Sequence, residues 1–123
     1  MSVQEPRHFI HGEYVPSRGG PTFPNISPVD GALLGHVHEA GPEAVDAAVS
    51  AARRALGGPW GRLSVEERAA RLYAVAAGVE ARFDAFLEAE CRDTGKPRSL
   101  ARKIDIPRGA ANFRIFADTV KNV

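Results

Sequence analysis

The sequence has almost no cysteine, no long apolar run and almost no net charge, and each absence excludes a class of protein. A single cysteine, Cys91, rules out an internal disulfide, which is typical of a reducing compartment. No run approaches the roughly 18 apolar residues of a membrane span, and residues 1–11 lack the apolar core of a signal peptide. Sixteen basic and 15 acidic residues leave a net charge of +1, without the basic excess that binds nucleic acid or anionic membranes. We therefore expect a cytoplasmic protein of one domain at most, with neither nucleic acid nor a membrane as partner.

The first forty residues have the turn signals of short antiparallel strands. Gly12 lies between two short apolar stretches, where glycine permits the positive φ of a hairpin turn. Asp30 and Gly31 form a second turn dipeptide, and Pro24 in the preceding stretch favours an edge strand. The pattern predicts antiparallel β ribbons between residues 9 and 40.

From Pro42 onward the apolar residues recur at helical intervals. Pro42 stands in the first turn of one such stretch and Gly57 ends it. Ser64 and Glu67 then have the spacing of a capping box, in front of a second apolar stripe. The pattern predicts one helix at about residues 42–57 and a single long helix at about 64–93.

A third helical stretch, at about residues 99–120, is apolar along two rows. Its first row is Leu100, Ile104, Ala111 and Ile115, and its second is Ile106, Ala110, Phe113, Ala117 and Val120. A helix that is apolar on both sides is expected to lie between two neighbouring elements. Pro107 predicts a kink or a break just before it.

The order of these elements resembles the aldehyde dehydrogenase superfamily, and three local matches carry the resemblance. They are IHGEYV at residues 10–15, NISPVDG at 25–31 and ECRDTGKP at 90–97. Their order and spacing extend over nearly the whole chain. A fourth segment, IDIPRGAANF at 104–113, is similar to the branch that oxidises 2-hydroxymuconate or 2-aminomuconate semialdehyde.

The resemblance implies an α/β parent fold, of which this segment contributes antiparallel β ribbons followed by three α-helices. Residues 1–123 would form the incomplete N-terminal part of an NAD(P)-binding domain, with catalytic and oligomerisation domains absent. The catalytic and cofactor-binding residues would all lie beyond Val123, so the isolated chain is expected to be inactive. The implied cofactor is NAD, and the implied partner is the remainder of an aldehyde dehydrogenase chain that forms a homodimer or homotetramer.

Arg108 is the candidate substrate-binding residue. It lies between Ile104 and Ala111 and interrupts the first apolar row of the third helix. A guanidinium in such a row needs a partner, and its planar fork matches the carboxylate that a muconate semialdehyde carries. The alternative from the sequence is a structural ion pair with Asp105, one turn earlier.

A monovalent cation site, Na⁺ or K⁺, is also implied by the resemblance. Its ligands would be the backbone carbonyls of Asn25 and Ile26 and the carboxylate of Asp93. Hard oxygen donors suit such ions. The alternative is that Asp93 only caps its helix or pairs with Lys96.

Cys91 and a pair of histidines are further candidates for reactive groups. Cys91 continues an apolar row of the long helix, which favours a buried, inert thiol over a nucleophile. His36 and His38 alternate on one predicted strand but lack a third ligand at a zinc-site spacing. Two functions therefore remain: an N-terminal segment of an aldehyde dehydrogenase, or a free-standing helical interaction module derived from one.

Overall fold

The computed structural model describes residues 7–15 and 20–122, and its chain divides into two compact units. The first unit is Met1–Arg62 and the second is Leu63–Val123. We describe each by itself. None of the helices within the described ranges is both long and apolar enough to cross a membrane.

The first unit begins with two antiparallel ribbons, as the turn signals predict. Strands β1 (His8–Ile10) and β2 (Glu13–Val15) pair across a two-residue turn. Both turn residues have positive φ, 56° at His11 and 83° at Gly12, which fits the right-handed twist of the flanking strands. Residues 16–19 of the predicted ribbon region lie outside the described residues.

The second ribbon joins β3 (Thr22–Ile26) to β4 (Leu33–His38). Gly31 has a φ of 72°, and the Asp30 carboxylate accepts a hydrogen bond of 3.1 Å from the Ala32 N–H. The ladder is irregular between Asn25 and Ile26, where a bulge shifts the register. The sequence predicts this ribbon correctly because its turn chemistry is local.

Helix α1 (Pro42–Gly57) follows with the bounds that the sequence predicts, and the short helix α2 (Pro59–Arg62) ends the first unit. Proline in the first turn lacks the N–H that a helix start leaves unpaired. Ala51 is the buried hydrophobic residue of this helix, and β1 lies against α1.

The second unit begins at the predicted capping box. The Ser64 hydroxyl accepts a hydrogen bond from the Glu67 N–H at 3.2 Å, and the Glu67 carboxylate accepts one from the Ser64 N–H at 2.8 Å. Helix α3 (Val65–Ala81) starts there, but the prediction of one long helix is wrong. The chain breaks at Arg82 and continues as α4 (Phe83–Thr94). The break lets Phe83 and Leu87 pack on a cluster formed with residues far along the chain, which a local pattern does not show.

The chain then forms α5 (Arg98–Leu100), a π-helical turn (Ala101–Asp105) and α6 (Ile106–Lys121). Helices α3 and α6 pack antiparallel through fully buried alanines. Ala69 and Ala76 on α3 are seven residues apart, as are Ala110 and Ala117 on α6. Such small side chains at heptad spacing let two helices approach closely.

Polar contacts flank this alanine interface. Arg114 donates two hydrogen bonds to Glu80, at 2.7 and 2.6 Å, and holds the pKa of that carboxyl below its usual value. The Tyr73 hydroxyl donates to the Asp118 carboxylate, and this hydrogen bond raises the tyrosine pKa. Tyr73 precedes Glu80 on α3, whereas its partner Asp118 follows Arg114 on α6. The two contacts therefore fit only an antiparallel pair of helices.

Candidate functional site

The candidate substrate-binding residue, Arg108, lies in the first turn of α6, directly after the π-helical turn and Pro107. Of the predicted kink or break before Pro107, the break is wrong, because the helix widens there instead of ending. Pro107 has no N–H, and in an α-helix its ring would clash with the carbonyl four residues earlier. A turn with one extra residue moves that carbonyl away, so helical structure continues through the proline.

The side chain of Arg108 is exposed, and so is most of the apolar row around it. Leu100 and Ile104 are each 44% exposed and Ile115 is 57% exposed. Only one of the two neighbours expected for this helix lies within the described residues: the second row packs on α3, through Ala110 and Ala117, while the first row has an open face. Large apolar side chains on an open helix face are typical of a surface that another element covers.

Asp105, the predicted alternative partner of Arg108, forms its ion pair with Lys96 instead. Lys96, in the loop after α4, lies with its Nζ 3.0 Å from the Asp105 carboxylate and 3.3 Å from that of Glu90. The hydrogen bonds that the Lys96 ammonium donates to Asp105 and then to Glu90 raise the pKa of Lys96. Among the residues that the structure describes, no carboxylate forms an ion pair with Arg108. The structural pair between Arg108 and Asp105 is thus not formed.

The hydrogen bond from Lys96 to Asp105 was not predicted from the sequence. The two residues are nine positions apart, and the π-helical turn ends at Asp105. A signal for the turn was present, because Ala101 and Ile106 are apolar residues five apart, directly before Pro107. An α-helix places such residues on different faces.

The three predicted cation ligands are distributed over the two units. Asn25 and Ile26 are neighbours at the bulged end of β3, and Asp93 lies in the last turn of α4. The Lys96 side chain, the predicted alternative partner of Asp93, is bound by Glu90 and Asp105. The monovalent cation site stays a prediction.

Cys91 and the two histidines differ in their surroundings. The Cys91 side chain is half-buried rather than buried, and it packs against the cluster of Leu87, Ala101 and Ile106. His36 and His38 are both half-buried on β4. In the described ranges, no group of three or more His, Cys, Asp or Glu side chains is arranged to hold a metal ion.

Comparison with known proteins identifies the family. The model of the aldehyde dehydrogenase family matches residues 14–123. The chain is 61% identical over 98% of its length to a 2-hydroxymuconic semialdehyde dehydrogenase of Pseudomonas sp. (strain CF600), and 48% identical over 94% to a 2-aminomuconic 6-semialdehyde dehydrogenase of Pseudomonas sp.. It covers 25% and 23% of those relatives, so it spans about a quarter of their length.

Solved structures agree with this assignment. A gamma-glutamyl-gamma-aminobutyraldehyde dehydrogenase from Burkholderia cenocepacia J2315 superimposes with a TM-score of 0.90 at 35% identity, over 100% of this chain and 25% of that one. An NAD⁺ complex of the aldehyde dehydrogenase from Bacillus cereus gives 0.87 at 38% identity, over 94% of this chain and 24% of that one. The family match includes most of the sequence and the fold agrees with it, so the chain belongs to the aldehyde dehydrogenase family.

Proposed function

We propose that this chain is the N-terminal part of the NAD-binding domain of a dehydrogenase that oxidises a muconate-type semialdehyde to the carboxylic acid. The observation that carries the proposal is the 61% identity, over nearly the whole chain, to a 2-hydroxymuconic semialdehyde dehydrogenase. The nucleophile, the general base and the NAD site belong, on this proposal, to the three quarters of the relatives that the chain does not cover. NAD supplies the hydride acceptor when it is bound.

Arg108 is, on this proposal, the residue that binds the carboxylate at the far end of the substrate. Its guanidinium is exposed and has no carboxylate partner within the described residues, so it is available for a ligand. Two parallel hydrogen bonds from a guanidinium to a carboxylate give orientation as well as affinity. Exposed apolar neighbours such as Ile104 would lower the local dielectric once covered and so strengthen the pair.

The role of Arg108 is tested in the full-length enzyme by Arg108→Ala and Arg108→Lys. Removing one partner of a desolvated charge pair costs at least about 30-fold in affinity. We expect Arg108→Ala to lower kcat/KM for a carboxylated semialdehyde by that factor, and Arg108→Lys to restore part of it, since lysine keeps the charge without the fork. An equal loss on an uncharged aldehyde of similar length would make Arg108 a structural residue.

The overall function is tested by NADH formation from the full-length protein and from this chain alone. The full-length protein is expected to reduce NAD when given 2-hydroxymuconate semialdehyde. The 123-residue chain is expected to give no NADH, because it lacks the groups that attack the aldehyde and accept the hydride. NADH production by the chain alone that is abolished by Cys91→Ser would overturn the proposal.

The remainder of an aldehyde dehydrogenase chain is the proposed partner of the open row on α5, the π-helical turn and α6. The row of Leu100, Ile104 and Ile115 is about half exposed, which fits a surface that is covered in a longer protein. The alternative is a free-standing interaction module. Thermal unfolding separates the two, because a chain with this row uncovered should aggregate or melt broadly, whereas an autonomous module should melt as a cooperative, soluble monomer.

A further inference from the structure

The π-helical turn in front of Arg108 sets the rotational position of α6. The Ile106 N–H donates its hydrogen bond to the Ala101 carbonyl, five residues back instead of four. Ala101 and Ile106 are both buried in one cluster with Leu87. At about 100° per residue, an α-helix would place two such positions roughly 140° apart. The widened turn is therefore what lets both residues reach the same core.

The same turn decides where Arg108 points. Arg108 follows Ile106 by two residues, which is about 200° around an α-helix. With Ile106 fixed in the core, Arg108 is directed to the opposite side, and its side chain is exposed there. If the turn relaxed to α-helical geometry with Ala101 still buried, α6 and Arg108 would rotate by roughly one residue step, about 100°.

One ion pair ties the last residue of this turn to the preceding loop. The Asp105 carboxylate lies 3.0 Å from the Lys96 Nζ, and both side chains are partly shielded, with 27% and 39% of their surface exposed. Lys96 follows Gly95, whose φ of 70° ends α4 in the left-handed region and turns the chain sharply. Because the loop is short and its turn is fixed, the Lys96 ammonium has a defined position beside the Asp105 carboxylate.

We propose that Lys96 and Asp105 are positioning residues: their ion pair holds the π-helical turn in its register and thereby aims Arg108 at the substrate's carboxylate. This inference rests on the proposed function of the chain and on the role of Arg108 in it. This role does not require Lys96 or Asp105 to touch the substrate. They act through the direction of the helix that carries Arg108.

The test compares variants of the full-length enzyme on a carboxylated semialdehyde and on an uncharged aldehyde of similar length. A displacement of about 1 Å costs up to about 100-fold in a positioned reaction. We expect Asp105→Asn and Lys96→Met to raise KM for the carboxylated substrate by about tenfold with kcat little changed, and to leave the uncharged aldehyde unaffected. Lys96→Arg, which retains the charge, should recover most of the loss. Glu90→Gln is the matched control, because it removes the other carboxylate on Lys96 from outside the turn, and its effect should stay below about twofold.

A second comparison separates positioning from general stability. In an Arg108→Ala background, Asp105→Asn should change the ratio of kcat/KM for the two substrates no further, since its effect passes through Arg108. A change that persists there, or an equal loss on both substrates, would overturn the inference. Inactivity of the wild-type enzyme on the carboxylated substrate would instead overturn the proposed function, and this inference with it.

Discussion

Replacing Ala117 by leucine should lower the free energy of unfolding of the second unit, although leucine adds hydrophobic surface. Leucine adds three carbons, and burying them would contribute roughly 2 kcal/mol if the interface had space, at about 0.8 kcal/mol per methylene. The interface has little free space, because Ala117 on α6 and Ala76 on α3 are both fully buried where the two helices pack. Forcing the pair apart costs about 1–3 kcal/mol, and it also strains the contact between Arg114 and Glu80.

The measurement is urea unfolding of the full-length protein, followed by far-ultraviolet circular dichroism, with Ala77→Leu as the matched control. Ala77 lies on the exposed side of α3, where the same substitution should change the free energy of unfolding by less than about 0.5 kcal/mol. A net loss of about 2 kcal/mol lowers the urea midpoint by that loss divided by the m-value, which increases with the size of the protein. Equal midpoints for Ala117→Leu and Ala77→Leu would refute the close alanine packing of α3 on α6.

Two further predictions concern local interactions of the second unit. Ser64→Ala removes the hydroxyl that caps α3 and should lower the free energy of unfolding by about 1 kcal/mol. The control Ser50→Ala, on the exposed face of α1, should leave the free energy of unfolding unchanged. Equal effects of the two substitutions would show that the cap contributes nothing. Arg114 lowers the pKa of Glu80, so the stability that this pair contributes is complete above the ordinary value of 4.5 and is lost as the pH falls through the lowered pKa. Glu80→Gln should therefore make the unfolding midpoint less sensitive to acid below pH 4.5, and an unchanged acid dependence would contradict this assignment.

Features with short-range causes could be predicted from the sequence. The turn at Gly12 requires positive φ, and the structure has it. Pro42 and Gly57 bound α1, and Ser64 with Glu67 begins α3, as their spacing indicates. Each of these signals lies within a few residues of the structure that it determines, so no knowledge of the tertiary fold is needed.

Features with long-range causes could not be predicted in the same way. No glycine or proline marks the helix break at Arg82, and Phe83 and Leu87 directly after it pack on residues after position 100. Pro107 predicts a kink or a break, because the sequence does not say whether a helix bends, ends or widens around a proline. The sequence offered Arg108 as the partner of Asp105, whereas the structure pairs Asp105 with Lys96 across the widened turn.

The substrate selectivity of the full-length enzyme tests whether Arg108 binds a substrate carboxylate. Initial rates of NADH formation would be measured for 2-hydroxymuconate semialdehyde and for an uncharged aldehyde of similar length, at the same pH and ionic strength. We expect a kcat/KM at least about 30-fold higher for the carboxylated substrate, because a guanidinium at position 108 can pair only with that one. Equal values for the two substrates, or a preference for the uncharged aldehyde, would contradict it.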